Sequence, residues 1–287
     1  MELKHLFLAY SDLMPGVLYL VATPIGNLED ITLRALRVLR EADLVACEDT
    51  RQTRKLLDHY GIRKPTVSYH EHNEAMRSAE LLEKLRDGTT VALVSDSGTP
   101  LISDPGYRLV SRAIECGIPV EPIPGASAIL PALTASGLGT DAFHFGGFLP
   151  VRSNQRQKLL ARLKDEPATL VFYEAPHRVL EALADIQEVF GARPIVLARE
   201  ITKIHQEFLR GTAAEVRRTL AARPSTKGEM TLLIARATGP LAEQTPIPEA
   251  VAAAMRAGLS RMEAMKSVAG DRGLSKSAVY RVMEEAE

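Results

Sequence analysis

The chain has 287 residues, 46% of them hydrophobic and 25% charged, with a formal net charge of −1 at pH 7. Its length admits two domains and a small third, and the near-zero charge excludes a polybasic protein held on nucleic acid by net charge alone, leaving a local basic face open. Its two cysteines, Cys47 and Cys116, exclude a disulfide framework and a structural zinc site and fit a reducing cytoplasm.

Residues 1–14 lack the basic n-region and small-residue cleavage site of a signal peptide and read as a short extension. No apolar run approaches the roughly 18 residues needed to span a bilayer. The first strand is expected over residues 17–22, ending at the turn Thr23-Pro24-Ile25-Gly26-Asn27. A helix follows, capped by Asp30 or Thr32, with Leu33, Leu36 and Leu39 as its apolar stripe. A strand over 44–47 runs into Glu48-Asp49-Thr50-Arg51. The helix after it stops at Gly61. Then come a strand over 66–69, the polar cluster His70-Glu71-His72-Asn73 and a helix over 74–86.

The unbroken run Val91-Ala92-Leu93-Val94 predicts a strand buried on both faces, as in a parallel sheet. It meets Ser95-Asp96-Ser97-Gly98-Thr99-Pro100 and the further turn Ser103-Asp104-Pro105-Gly106, which could be no more than a connector to a helix over 106–115. A strand over 120–123 and the turn Pro124-Gly125-Ala126-Ser127-Ala128 lead into another helix. Five alternations of strand and helix predict a mainly parallel sheet with helices on both faces. The loops at Thr23, Glu48, His70, Asp96 and Ser127 would then share one sheet edge, where open α/β sheets bind ligands.

Residues 137–141 read as a hinge. A second α/β unit follows: a strand from 143, a basic amphipathic helix over 152–164, a strand over 169–173 running into Glu174-Ala175-Pro176-His177-Arg178, a helix over 179–190, strands over 194–198 and 207–209, a helix over 214–222 and a strand over 230–235. Its shorter strands predict a mixed sheet. The proline-bearing linker precedes three short helices, over 249–257, 260–269 and 276–285, the last capped by Ser275. They fit either a helix-turn-helix presenting Lys276, Ser277, Tyr280 and Arg281, or a small bundle with a solvated basic face. The domain boundaries expected are an extension (1–14), an N-terminal α/β domain (15–138), a second α/β domain (139–238), a linker (239–248) and the helices (249–287).

No G-x-G-x-x-G or P-loop follows a strand, and neither C-x-x-C nor H-E-x-x-H occurs. His70 and His72 alternate along the chain, but polar residues at a strand end describe them better than metal ligands, and no metal is expected. The segment Gly125-Ala126-Ser127-Ala128-Ile129 is not a nucleophile elbow, which leaves acyl transfer without support.

Five motifs together, Leu20 to Leu28, Glu48 to Arg51, Ser95 to Gly106, Pro124 to Ala128 and Tyr173 to Arg178, resemble the ribosomal RNA small-subunit methyltransferase I family of the tetrapyrrole methylase superfamily. One departure is Gln206, where members often carry an acidic residue. The resemblance implies two α/β domains of the tetrapyrrole methylase type with a small C-terminal helix-turn-helix-like unit. It also implies S-adenosylmethionine-dependent methylation of a cytidine ribose 2′-OH in the decoding region of small-subunit rRNA, probed best in an assembled 30S subunit, by a cytoplasmic homodimer with no membrane attachment. Carried onto this sequence, Asp96 and Thr99 would hold the methionine end of the cofactor, Ser127 and Ala128 its centre, and Tyr173 and Met230 the adenine. Leu20, Pro24, Gly98 and Thr231 complete that set.

A 2′-hydroxyl is a weak nucleophile that must be oriented and relieved of its proton. The candidate bases are Asp49, His70, Glu71 and Glu174. Arg51, Arg178, Arg199 and Lys203 are candidates for phosphate contacts, joined by Lys276 and Arg281 on the last helix. Two other readings are a methyltransferase acting on a tetrapyrrole carbon and a non-catalytic protein that binds cofactor or RNA.

Overall fold

The computed structural model describes residues 15–237, 246–271 and 274–285. The extension at 1–14, most of the expected linker and the break at Arg272-Gly273 lie outside them. The chain divides into two compact units, Met1–Arg236 and Ala237–Glu287.

The first unit begins with alternating strands and helices: β1 (Leu18–Val21), α1 (Leu33–Glu41), β2 (Leu44–Cys47), α2 (Thr50–His59), β3 (Thr66–Ser68), α3 (Glu74–Arg86), β4 (Val91–Val94), α4 (Tyr107–Glu115), β5 (Val120–Ile123) and α5 (Ile129–Ser136). The five strands form one parallel sheet in the order β3-β2-β4-β1-β5. All four residues of β4 are buried, as expected of a central strand covered on both faces. Register aligns the strand ends: Val94 stands beside Val21 and Cys47, Val21 beside Ile123, and Cys47 beside Ser68. The loops that follow these strands therefore leave from one edge.

Helices cover both faces of this sheet. Ala35, Val38, Leu39 and Leu57 of α1 and α2 pack on one side with Val21, Val45 and Val94. Leu81, Leu82, Leu85, Leu109 and Ala113 of α3 and α4 pack on the other with Leu18, Val91 and Leu93. Thr32 caps α1 by accepting the Ala35 amide at 3.0 Å. Leu33 is not part of the stripe: it is 86% exposed. At 3.6 residues per turn it stands about 200° round the helix from Ala35.

The second half of the unit contains β6 (Phe143–Phe148), α6 (Ser153–Arg162), β7 (Thr169–Glu174), α7 (Val179–Phe190), β8 (Pro194–Arg199), β9 (Glu207–Thr212), α8 (Ala213–Ala221) and β10 (Met230–Ile234). The sheet order is β6-β7-β10-β8-β9, parallel only between β6 and β7. Strand β9 runs three residues past the expected 209, because it pairs with β8 along its whole length, from Arg199 opposite Glu207 to Pro194 opposite Thr212. Thr212 then starts α8 through a reciprocal capping box with Glu215.

One face of this sheet packs on α6, α7 and α8, through Leu160, Leu183, Ile186, Val216, Leu220, Phe172 and Leu232. The other face takes α5: Ile129, Ala132 and Leu133 pack with Val171, Val196, Ala198 and Leu233, and Ile25 of the β1 loop joins the same cluster. The helix that follows the first sheet thus builds the core of the second. The basic character of the 152–164 helix is only partly a surface property, since Arg156 is 1% exposed. Its Nε donates to Asp185 at 2.6 Å and its Nη1 to the carbonyls of Pro150 and Val151 at 3.1 Å, the pairing that a buried guanidinium requires.

In the second unit, α9 (Ile247–Arg256), α10 (Arg261–Asp271) and α11 (Lys276–Glu285) enclose their own core of Val251, Ala264, Met265, Val268, Ala269 and Val279. The Ser275 hydroxyl accepts the Ala278 amide at 3.2 Å at the start of α11. No described helix is long and apolar enough to cross a membrane.

Candidate active site

Hydrogen bonds between the aligned strand ends build the site. Thr23 and Gly98 exchange backbone hydrogen bonds of 2.9 and 3.0 Å, and the Thr23 hydroxyl donates to the Ser95 carbonyl at 3.1 Å. The Thr99 hydroxyl donates to the Ala126 carbonyl at 3.2 Å. The Asp49 amide donates to Oδ1 of Asp96 at 3.0 Å. Four strand-end loops are thus one braced rim. Gly98 has φ +87°, and a Cβ there would stand 3.3 Å from Cγ2 of Ile25, so its freedom from a side chain serves both the turn and the close approach. On the far side, the Asn27 amide donates to the Thr202 hydroxyl at 3.2 Å, and Lys203 lies over Gly26, where a Cβ would meet its Cγ at 2.4 Å.

Between these loops and the second sheet is a cavity of about 550 Å³, within the range of pockets that enclose a small ligand. Of the expected cofactor residues, Gly98, Thr99, Ser127, Ala128, Tyr173, Met230 and Thr231 line it. Leu20, Pro24 and Asp96 do not. Leu20 packs within the first sheet's core, Pro24 is buried, and the Asp96 carboxylate serves as the acceptor that ties the β2 and β4 loops. Met230 contributes differently from expectation. Its side chain packs in the cluster beneath α7 and α8, because the pleat turns alternate residues of β10 to opposite faces. Thr231 takes the cavity side, paired across the strands with Tyr173. The Tyr173 ring packs edge-on against Phe145, 5.0 Å between centroids, and at a tilt against Phe148, 5.5 Å between centroids.

The four expected bases fare poorly. Asp49 accepts hydrogen bonds from the Arg51 side chain and amide at the head of α2, and these hold its carboxyl at about 2. His70 is tied to Asn73, Glu71 is exposed, and neither lines the cavity. Glu174 does line the cavity, at the end of β7. Its side chain is fully buried on the helix face, opposite Met230 in the ladder, and is locked to Arg178.

The expected phosphate contacts are also redistributed. Arg178 is committed to Glu174. Arg199 pairs with Glu207 and donates to the Lys227 carbonyl at 3.0 Å. Both are structural pairs, because half-buried guanidinium groups need partners. Lys203 lines the cavity but its ammonium lies 2.9 Å from Glu200 and 3.2 Å from Glu229. Arg51 is 85% exposed beside Asp49, and Lys276 and Arg281 are exposed together with Ser277 and Tyr280 on α11. Gln206, at the sequence departure, accepts the Thr202 amide at 2.7 Å and so shapes the loop over Lys203.

Residues missed from sequence also line the cavity: Asp104, Glu200, Glu229 and Phe148. Burial, reinforced by the charge of Glu48, pushes the Asp104 carboxyl up to about 6. Burial pushes the Tyr173 hydroxyl up to about 12, with the charges of Asp104 and Glu229 adding to it. A signal for Asp104 existed, the turn Asp104-Pro105-Gly106 just after the Ser95–Pro100 loop, but as a turn it was indistinguishable from a connector. The cavity suits an elongated cation with an aromatic group. It offers apolar walls at Ile25, Ala128, Ile201 and Tyr173, backbone access at Gly98 and carboxylates at Asp104, Glu200 and Glu229.

A family model described as Tetrapyrrole (Corrin/Porphyrin) Methylases matches residues 17–217. The chain is 48% identical to a ribosomal RNA small subunit methyltransferase I from Halalkalibacterium halodurans, covering 94% of this chain and 95% of the relative. It is 50% identical to a protein of the same name from Mesorhizobium japonicum, covering 93% and 91%. Among solved structures it resembles a uroporphyrin-III C-methyl transferase from Thermus thermophilus complexed with S-adenyl homocysteine. There the TM-score is 0.54 and the identity 22%, over 76% of this chain and 97% of that one, a likeness of fold.

Proposed function

This chain belongs to the ribosomal RNA small subunit methyltransferase I family, within the tetrapyrrole methylases, and from that membership we propose that it transfers a methyl group from S-adenosylmethionine to the ribose 2′-hydroxyl of a cytidine in the decoding region of small-subunit rRNA. It is an enzyme of the methyltransferase class. The observation that carries the reading is the gathering of Gly98, Thr99, Ser127, Ala128, Tyr173 and Thr231 around one cavity. Their fit to the cofactor is chemical. Small residues let backbone groups approach it, the Tyr173 ring offers an aromatic face for a base, and nearby carboxylates suit an ammonium and a sulfonium.

S-adenosylmethionine, when bound, supplies an electrophilic methyl carbon. The residues of this chain orient it through the braced loops and shield it from water between Tyr173, Ile25 and Ile201. Charge is lost from the sulfur as the new bond forms, so a partly dry cavity favours the transition state. The ribose must come from an unstacked nucleotide, which favours an assembled 30S subunit over short oligomers as the substrate. The same reading includes a homodimer acting in the cytoplasm.

The test is calorimetric titration of the purified protein with S-adenosylmethionine, followed by labelled methyl transfer to 30S subunits from a strain lacking the modification. Binding with transfer to one cytidine ribose is expected. Binding with transfer only to a tetrapyrrole would replace the acceptor, and binding without any transfer would reduce the protein to a binder.

A further inference from the structure

We propose that Asp104 is the catalytic residue that takes the proton of the attacking ribose hydroxyl, an assignment that rests on the ribose-methylating reading above. Asp104 shares the cavity with Gly98, Thr99, Ser127 and Tyr173. It forms no ion pair among the described residues, whereas each competing carboxylate has a different duty. Asp49 is bound by Arg51 and Glu174 by Arg178, and Glu200 and Glu229 share Lys203.

The loop that presents Asp104 is fixed in an uncommon conformation. Leu101 and Ser103 have φ of 71° and 65°, left-handed values that cost energy in residues other than glycine and collect at functional sites. Beyond Asp104 the chain is anchored by Glu74 of α3. Its Oε1 accepts the amides of Gly106 at 3.2 Å and Arg108 at 3.4 Å, and the Tyr69 hydroxyl at 3.1 Å. A base held this way loses little orientational freedom when the substrate arrives.

The charges around Asp104 act on it from several elements. Glu48 after β2 and Asp96 after β4 both disfavour its ionised form, as does burial, while the Ser95 hydroxyl favours it. Tyr173 faces it from β7, and Glu174, Glu200, Lys203 and Glu229 are the other charged groups of the cavity wall. Raised to about 6, the carboxyl is ionised at neutral pH and yet a better proton acceptor than an ordinary aspartate, which is the compromise general-base catalysis favours. In the step itself the O–H bond of the 2′-hydroxyl breaks and its proton passes to the Asp104 carboxylate. The oxygen bonds to the methyl carbon as the C–S bond breaks, and that electron pair stays on sulfur, leaving a neutral thioether.

The test uses the full-length protein, unmodified 30S subunits and the variants Asp104→Asn and Asp104→Glu, with single-turnover rates measured from pH 5 to 9 and cofactor affinity by calorimetry. Asp104→Asn is expected to weaken S-adenosylmethionine binding by no more than about tenfold, the retained binding certifying its fold, and to lose turnover at saturating cofactor by about 100-fold or more. The parent's rate should rise with pH through a midpoint near 6, a limb absent in Asp104→Asn and displaced, with part of the rate restored, in Asp104→Glu. Asp104→Asn turnover within a few-fold of the parent with the same pH profile would overturn the assignment. So would a loss confined to cofactor affinity, with the saturated rate intact. A parent protein that methylates no ribose in 30S subunits would instead overturn the functional reading, and this assignment with it.

Discussion

Tyr173 and Glu174 are neighbours in β7 and serve opposite faces of its sheet: Tyr173 lines the cavity beside Thr231, and Glu174 is buried beneath α7 in an ion pair with Arg178. This division separates binding from stability in one motif. Glu174→Ala should leave Arg178 without its buried partner and lower stability by about 3 kcal/mol, read as a drop in the urea midpoint. The pH dependence of the residual turnover should be unchanged. A shifted pH profile would return Glu174 to the chemistry.

Asp96 acts as a brace, and the brace needs one oxygen acceptor more than a charge. Asp96→Asn can keep an acceptor for the Asp49 amide, which lies 3.0 Å from Oδ1, whereas Asp96→Ala cannot. Cofactor affinity should therefore fall about tenfold in the alanine variant, the equivalent of one lost hydrogen bond of about 1.4 kcal/mol, and change little in the asparagine variant. Equal losses in both would mean that the carboxylate charge itself holds the ligand.

Glu207 links acid stability to the second sheet. Its carboxyl, hydrogen-bonded by Arg223 and Arg199, is held at about 2, below an ordinary value of 4.5. A depressed carboxyl stabilises the fold fully above its unfolded value, and that contribution disappears as the pH falls from about 4.5 through about 2. Glu207→Gln should accordingly lower stability by about 2 kcal/mol at pH 7, allowing for the partial exposure of the pair. The difference from the parent should shrink toward zero near pH 2, as measured by urea unfolding at several pH values.

Lys276 and Arg281 are the exposed cations of α11. If they neutralise rRNA phosphates, the double variant Lys276→Ala/Arg281→Ala should bind 30S subunits more weakly. It should also reduce the salt slope of binding by roughly 1.4, at about 0.7 per contact on single-stranded RNA. Cofactor affinity should not move. An unchanged salt slope would assign α11 to a helical bundle with no RNA role.

Local signals in the chain were enough to define most elements and the edge on which the site is built. Unbroken apolar runs such as Val91–Val94 report burial on both faces, and Gly and Pro turns mark strand ends, because both effects depend on residues adjacent in sequence. The loops at Asp96 and Ser127 were legible for that reason, whereas Thr99 and Tyr173 were named only through the family resemblance. Tertiary pairing decided which side chains reach the cavity. The phase of the pleat in β7 and β10 sends Glu174 and Met230 to the helix face and Tyr173 and Thr231 to the cavity, and nothing local distinguishes the two phases. The same holds for charge. Asp49, Glu174 and Asp104 are alike in sequence, yet Arg51 and Arg178 bind the first two, while burial and Glu48 raise the third. A carboxyl's proton affinity is set by neighbours brought from distant strands, so only the folded chain tells a helix cap and a buried ion pair from a base.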